Sequence, residues 1–134
     1  MVQIGDAARL TGVPAKLIRY YESAGLLSPS RRRGNGYRVF DERNLHELRF
    51  IKRARSLGFP IKQIDLLLGL WRNKKRSSRK VREMAVRHQE QIITRMEEHR
   101  AIIDVLGRLI ASCKGDDRPE CPILDDLVSP RSRP

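Results

Sequence analysis

Several things are scarce or missing in this 134-residue chain, and each narrows what it can be. No apolar run approaches the roughly 20 residues of a membrane span. The start, "MVQIGDAARL", has neither a basic leader region nor a signal-type apolar core. A soluble, cytoplasmic protein with no membrane partner is therefore expected. Catalytic signatures are missing too: there is no nucleophile elbow, no phosphate loop, no HExxH and no carboxylate pair in an apolar setting, so no enzyme is expected. No internal repeat is evident. Cysteine is nearly absent, and the only two, Cys113 and Cys121, share the short stretch "CKGDDRPECPILDDL". A disulfide, a redox pair and a metal clamp all remain open on that spacing alone.

Acidic residues are scarce in one half of the chain only. Residues 1–76 carry 17 Lys/Arg against 6 Asp/Glu, whereas residues 77–112 carry 7 against 5 and residues 113–134 carry 4 against 5. Nearly all of the net charge of +12 thus lies in the first half. A positive field concentrated in this way attracts polyanions, nucleic acid above all.

What is present is organised. "IGDAARLTGVPAKLIRYYESAGLL" sets Ile4, Ala7, Ala8 and Leu10 at helical spacing, breaks at "TGVP", and resumes with Leu17, Ile18 and Tyr21. Pro14 suits the opening of a second helix and Gly25 the position past its end. Residues 4–24 therefore read as a helix-turn-helix. The period then changes over residues 27–40, where Asn35-Gly36 favours a hairpin turn, and this segment reads as a two-stranded wing. Asp41 suits the cap of a third helix carrying Leu45, Leu48, Ile51 and Leu57, which Gly58 ends. Pro60 opens a fourth with Ile61, Ile64, Leu67, Leu68 and Trp71 on its buried side.

After "RNKKRSSRK", with Ser77 or Ser78 as helix caps, the apolar positions change again. Ala85, His88, Ile92, Met96, His99, Ile103, Leu106 and Ile110 recur at alternating steps of three and four, with no proline. A helix of that length cannot bury its stripe in a small globule, so a second copy of the chain is its simplest partner. The expected organisation is mainly α: a winged helix-turn-helix domain over residues 1–76, a long dimerisation helix over 77–112 that pairs with its own copy in an antiparallel or parallel coiled coil, a cysteine loop with a short helix over 113–128, and a disordered tail over 129–134.

The residues suited to DNA are Lys16, Arg19, Tyr20 and Tyr21 on the second helix, with Arg31, Arg32, Arg33, Gly36, Tyr37 and Arg38 at the wing. Lys and Arg contact phosphates or guanine edges, and a Tyr hydroxyl donates to a phosphate. Tyr20 and Tyr21 point about 100° apart on a helix, so at least one belongs to the core. His88 and His99 lie too far apart to chelate one ion within a chain and are expected as interface residues; His46 carries no specific signal. For the two cysteines, structural zinc would want about four ligands. Two thiolates suit instead a soft, low-coordinate d10 ion such as Cu(I). Cys121 precedes "PILDDL", a short helix whose start lowers a thiol pKa.

Together these stretches resemble the MerR family of transcription regulators over nearly the whole chain. "IRYYE..GLL" with "NGYR" carries the resemblance in the DNA-binding half, and "LRFIKRARSLGFPIKQI" extends it. Cys113 and Cys121, with Gly115, Asp116, Asp117, Pro122 and Ile123, look like the metal loop of its copper-efflux subgroup, the CueR and HmrR type.

The resemblance implies a homodimer, joined through an antiparallel coiled coil of the long helices and with residues 113–128 as its metal-binding loop, that occupies a dyad element in double-stranded promoter DNA. Metal binding would then distort the spacer so that RNA polymerase engages both promoter boxes. It implies Cu(I), with Ag(I) or Au(I) as alternatives, one ion per chain at Cys113 and Cys121. Ser78 falls where divalent-metal members carry Cys, so a third thiolate is not expected. Arg55 matches a position facing the DNA backbone. Two competing functions stay open: a thiol redox sensor, and a cytoplasmic metal buffer or chaperone.

Overall fold

The computed structural model describes residues 1–28, 31–32 and 36–129, with only the backbone of Arg31 and Arg32. The chain divides into two compact units, residues 1–82 and 83–134.

In the first unit, α1 (Ile4–Thr11) and α2 (Ala15–Ser23) are separated by three residues, and each of the three has a physical reason. Gly12 takes a φ of 76°, the left-handed conformation glycine adopts freely, and its N–H closes α1 on the Ala8 carbonyl. Val13 is buried, and its N–H donates to Thr11 Oγ1 at 3.2 Å. Pro14, extended at ψ 145°, precedes α2 and accepts from the N–H groups of Leu17 and Ile18. Past α2, Gly25 has a φ of 80°.

Strands β1 (Arg31–Arg32) and β2 (Arg38–Val39) pair antiparallel, Arg31 opposite Val39 and Arg32 opposite Arg38. Of the expected Asn35-Gly36 turn, Asn35 lies outside the described residues, as does Arg33. Gly36 has a φ of 85°, as such a turn uses. Phe40 leaves the wing through a two-way bridge with Val2, with N···O distances of 2.9 and 2.7 Å, which fixes the chain start to the wing.

Asp41 then caps α3 (Glu42–Ser56). Its carboxylate accepts from Asn44 N–H at 2.9 Å, while Asn44 Oδ1 accepts from Asp41 N–H at 3.1 Å, a reciprocal capping box. Helix α4 (Ile61–Arg72) follows after Gly58, which has a φ of 87°. Ala7, Ile18, Tyr21, Leu26, Phe40, Leu45, Leu48, Ile51, Ile64 and Leu68 form one aliphatic and aromatic core.

The periodic reading of these helices needs four corrections. Leu10 and Leu17 are largely exposed, because the short α1 and α2 each bury a narrow face. Leu57 is exposed because α3 has already ended at Ser56. Trp71, placed on the buried side of α4, is 38% exposed. It stacks instead on Phe50, with ring centroids 5.6 Å apart.

Helix α5 runs from Ser78–Ser112 and is 35 residues long, on the order of 50 Å at 1.5 Å per residue. Ser77, rather than Ser78, caps it: its Oγ accepts from Arg79 N–H and its carbonyl from Lys80 N–H. His88 is buried, but Ile92, Met96, Ile103, Leu106 and Ile110 all stand exposed in the single chain, joined by Ile93 and Ile102. His99 is exposed as well and bonds the Arg95 carbonyl one turn back. In the second unit a loop leads to α6 (Pro122–Val128). The last five residues, 130–134, where a disordered tail is expected, lie outside the described residues.

Candidate functional site

Two constellations stand out, one in each unit. In the first, α2 turns Ile18 and Tyr21 into the core and Lys16, Arg19 and Tyr20 outward. The wing brings Gly36, Tyr37 and Arg38 beside them. Together with Gln3, Ile4, Gly5 and Ser23 these residues line a cleft of about 800 Å³. Tyr20 and Tyr37 are 49% and 64% exposed, large aromatic surfaces in a basic setting. Arg38 pairs with Glu22 on α2, so its guanidinium is tied to the recognition helix. This surface offers ammonium, guanidinium and phenol donors to an anionic polymer.

Tyr21 is not on that surface. It is 1% exposed, and its ring packs at 57° to that of Tyr20 with centroids 5.7 Å apart. Its hydroxyl accepts from Arg55 Nη1 at 3.2 Å, so a residue expected to contact DNA lies in the core and bonds Arg55 instead. Arg55 is itself exposed on α3. Of the remaining expected contacts, Arg31 is described only in its backbone.

Sequence reasoning missed a polar cluster elsewhere in the first unit. Glu47 on α3 has a side chain with no exposure, and its carboxylate pairs with Arg72 at the end of α4. A trace was legible: Asn44, Glu47, Leu48 and Ile51 share one helical face, so two polar groups interrupt an apolar stripe.

In the second unit, Cys113 ends the last turn of α5, its N–H donating to the carbonyls of Leu109 and Ile110. Gly115, with a φ of 65°, and an Asp116 carboxylate that accepts from Arg118 N–H at 2.9 Å fold the loop back. Cys121 stands at the N-cap of α6. Its thiol pKa is held below the ordinary value, chiefly by the Leu124 N–H. Desolvation acts against this; the Ile123 N–H and a hydrogen bond from the Cys113 thiol reinforce it, and the Asp125 charge opposes it. The two cysteines are free, and Cys113 lies near enough to Cys121 to affect its thiol.

This donor set can be tested against a metal. Among the described residues no group of three or more His, Cys, Asp and Glu is arranged to hold an ion. Two adjacent sulfurs, one already favouring its thiolate, fit a soft ion of low coordination number and do not fit tetrahedral zinc.

The first unit defines a helix-turn-helix DNA-binding protein. The chain belongs to the MerR family: the model of the MerR HTH family regulatory proteins matches residues 2–70, and that of the MerR DNA-binding region matches residues 45–109. It is a transcription regulator and not an enzyme. It is 40% identical to heavy metal-dependent transcription regulator 2 of Rhizobium meliloti, across 96% of this chain and 87% of that one. It is 36% identical to the regulator CueR of Salmonella typhimurium, across 94% and 91%. The crystal structure of PbrR691 from Ralstonia metallidurans in complex with lead(II) superposes with a TM-score of 0.85 at 32% identity, covering 95% of this chain and 99% of that one.

Proposed function

We propose that the protein is a heavy-metal-responsive transcriptional activator whose inducer is Cu(I), with Ag(I) and Au(I) as chemically related alternatives, and whose targets are copper-efflux genes. The observation that carries this reading is the meeting of Cys113 and Cys121 at the start of α6 with no third donor among the described residues. Relatives named for heavy-metal dependence and CueR support the metal-responsive part. The lead(II) complex belongs to a relative, so the choice of ion here rests on this chain's own donors. A monovalent ion held by both sulfurs would leave one net negative charge and join the end of α5 to α6; a divalent ion would recruit further ligands.

In this reading a homodimer, paired through the exposed stripe of α5, binds dyad promoter DNA in the cytoplasm. Lys16, Arg19, Tyr20 and the wing residues Arg31, Arg33, Gly36, Tyr37 and Arg38 hold the phosphates and groove edges. Arg55, steadied by Tyr21, adds a backbone contact. Ser78 at the start of α5 contributes a hydroxyl where a thiol would favour divalent ions. The dimer acts on DNA shape, so RNA polymerase is its partner at the promoter rather than a competitor. No helix among the described residues is long and apolar enough to cross a membrane, which agrees with this setting.

The test is run-off transcription from the adjacent efflux promoter with Cu(I), Ag(I), Zn(II), Pb(II) and a mild oxidant side by side. Activation by Cu(I) that is lost in Cys113→Ser and Cys121→Ser, with DNA binding kept, is expected. Activation by oxidant in the presence of a copper chelator would favour a thiol redox sensor, the reading that the adjacent thiols also permit. Activation by Pb(II) or Zn(II) alone would overturn the ion assignment.

A further inference from the structure

Glu47 is a fully buried carboxylate, and both of its oxygens are occupied. Oε1 accepts from the Ser28 N–H at 3.0 Å and from Asn44 Nδ2 at 3.3 Å. Oε2 accepts from the Ser28 hydroxyl at 2.7 Å, from Arg72 Nε at 2.8 Å and from Arg72 Nη2. Burying a charge is unfavourable unless it is paired, and an apolar side chain often serves stability as well. What this arrangement adds is directionality, because its donors come from three different parts of the chain.

Ser28 lies just before the wing. Its carbonyl accepts from Asn44 Nδ2 at 3.0 Å, and the same Asn44 closes the capping box with Asp41, just after the wing. Both ends of the wing are thus bonded to the first turns of α3. Arg72 is the last residue of α4, and besides Glu47 it bonds the Leu26 carbonyl at 2.6 Å. From Arg72 to α5 the chain forms a bonded turn. Asn73 Oδ1 accepts from Lys75 N–H, the Asn73 carbonyl from Arg76 N–H, and the carbonyls of Trp71 and Asn73 from Arg76 Nη1. Ser77 then caps α5.

We infer that Glu47 and Arg72 are a positioning pair that couples the start of α5 to the wing. The pair fixes the wing's angle on DNA according to where α5 holds the end of α4. A displacement of the first turn of α5 passes through the bonded turn to Arg72, and Arg72 applies it to Leu26 and Glu47, and through Glu47 to Ser28. Neither residue is needed for contact with DNA; their role is to convert a change in α5 into a change at the wing. The inference rests on the activator reading above.

The experiment compares wild type with Arg72→Lys, which keeps the charge but lacks the fork that reaches both Glu47 and Leu26, and with Glu47→Gln, which keeps the acceptor for Ser28. On the full-length reduced dimer, amide exchange is measured without metal, DNA affinity by anisotropy, and activation by run-off transcription. In Arg72→Lys the Ser28 amide is expected to exchange about tenfold faster while those of Ile18 and Tyr21 do not change. DNA affinity should stay within about threefold and fold-activation should drop by about tenfold. Glu47→Gln should behave alike if it folds. Wild-type activation in Arg72→Lys, or activation and affinity falling in step, overturns the inference.

If the wild type answers no metal, the activator reading fails, and the metal-free dimer still decides the pairing. Hydroxyl-radical footprints of Arg72→Lys should then show the protected phosphates under the wing displaced along the DNA and those under α2 unchanged. An unchanged footprint overturns the inference.

Discussion

Cys113, past the end of α5, comes close enough to Cys121, at the start of α6, to help hold its thiol pKa down, although seven residues separate them. The end of α5, the loop and the start of α6 have to fold together to produce that contact. The Leu124 and Ile123 N–H groups at the start of α6 also favour the Cys121 thiolate.

In the metal-free, reduced protein, Cys121 is therefore expected to be alkylated at lower pH than an ordinary cysteine thiol. The N–H donors and the Cys113 thiol favour the thiolate, so its reactive form appears earlier as pH rises. Cys113→Ala removes one of those donors and should move the Cys121 profile to higher pH. Iodoacetamide labelling followed by peptide mass analysis reads the Cys121 rate; a profile no lower in pH than that of a cysteine in a short unstructured peptide would contradict this picture of the loop.

Lys16 and Arg19 face the cleft beside Tyr20 and Tyr37. Alanine at either position is expected to weaken binding to a dyad promoter fragment and to lower the salt dependence by about one counterion for each phosphate that is no longer neutralised. Anisotropy titrations across a salt series measure the slope. Tyr21→Phe should leave that slope nearly unchanged, because the hydroxyl meets Arg55 and not solvent.

The exposed stripe of α5 predicts the oligomeric state. Ile103 is 65% exposed in the single chain, and a glutamate there would place like charges where two stripes meet. Ile103→Glu is expected to shift the protein from dimer to monomer in sedimentation velocity. A dimer of undiminished stability would move the interface elsewhere.

Stability should follow burial. Leu48 is fully buried between the helices of the first unit, so Leu48→Ala is expected to cost about 2–5 kcal/mol in urea unfolding. Asp41→Ala removes one side of the capping box and should cost about 1 kcal/mol.

Much of the first unit is legible in residue type because its chain reversals are local. Gly12, Pro14, Gly25 and Asp41 act within three or four residues of themselves, and their conformations follow from their own chemistry. Tyr20 and Tyr21 show where that legibility ends. The helical period says that one of the pair is buried, but only the packing around Ile18 and Leu48 decides that it is Tyr21. Glu47 and Arg72 lie further beyond reach: they are 25 positions apart, and no spacing rule links a carboxylate on one helix to a guanidinium at the end of the next. The loop is an intermediate case. Its two cysteines and the short helix are visible in "CPILDDL", whereas the contact between the sulfurs depends on the turn at Gly115 and Asp116.

The central claim is that Cys113 and Cys121 supply the whole protein donor set for a monovalent ion. X-ray absorption spectroscopy of the reduced dimer loaded with one equivalent of Cu(I) per chain tests it most directly. Two sulfur ligands around copper and no nitrogen or oxygen ligand are predicted, with the signal abolished in Cys113→Ser/Cys121→Ser. A third sulfur, or a nitrogen ligand from histidine, would contradict the claim.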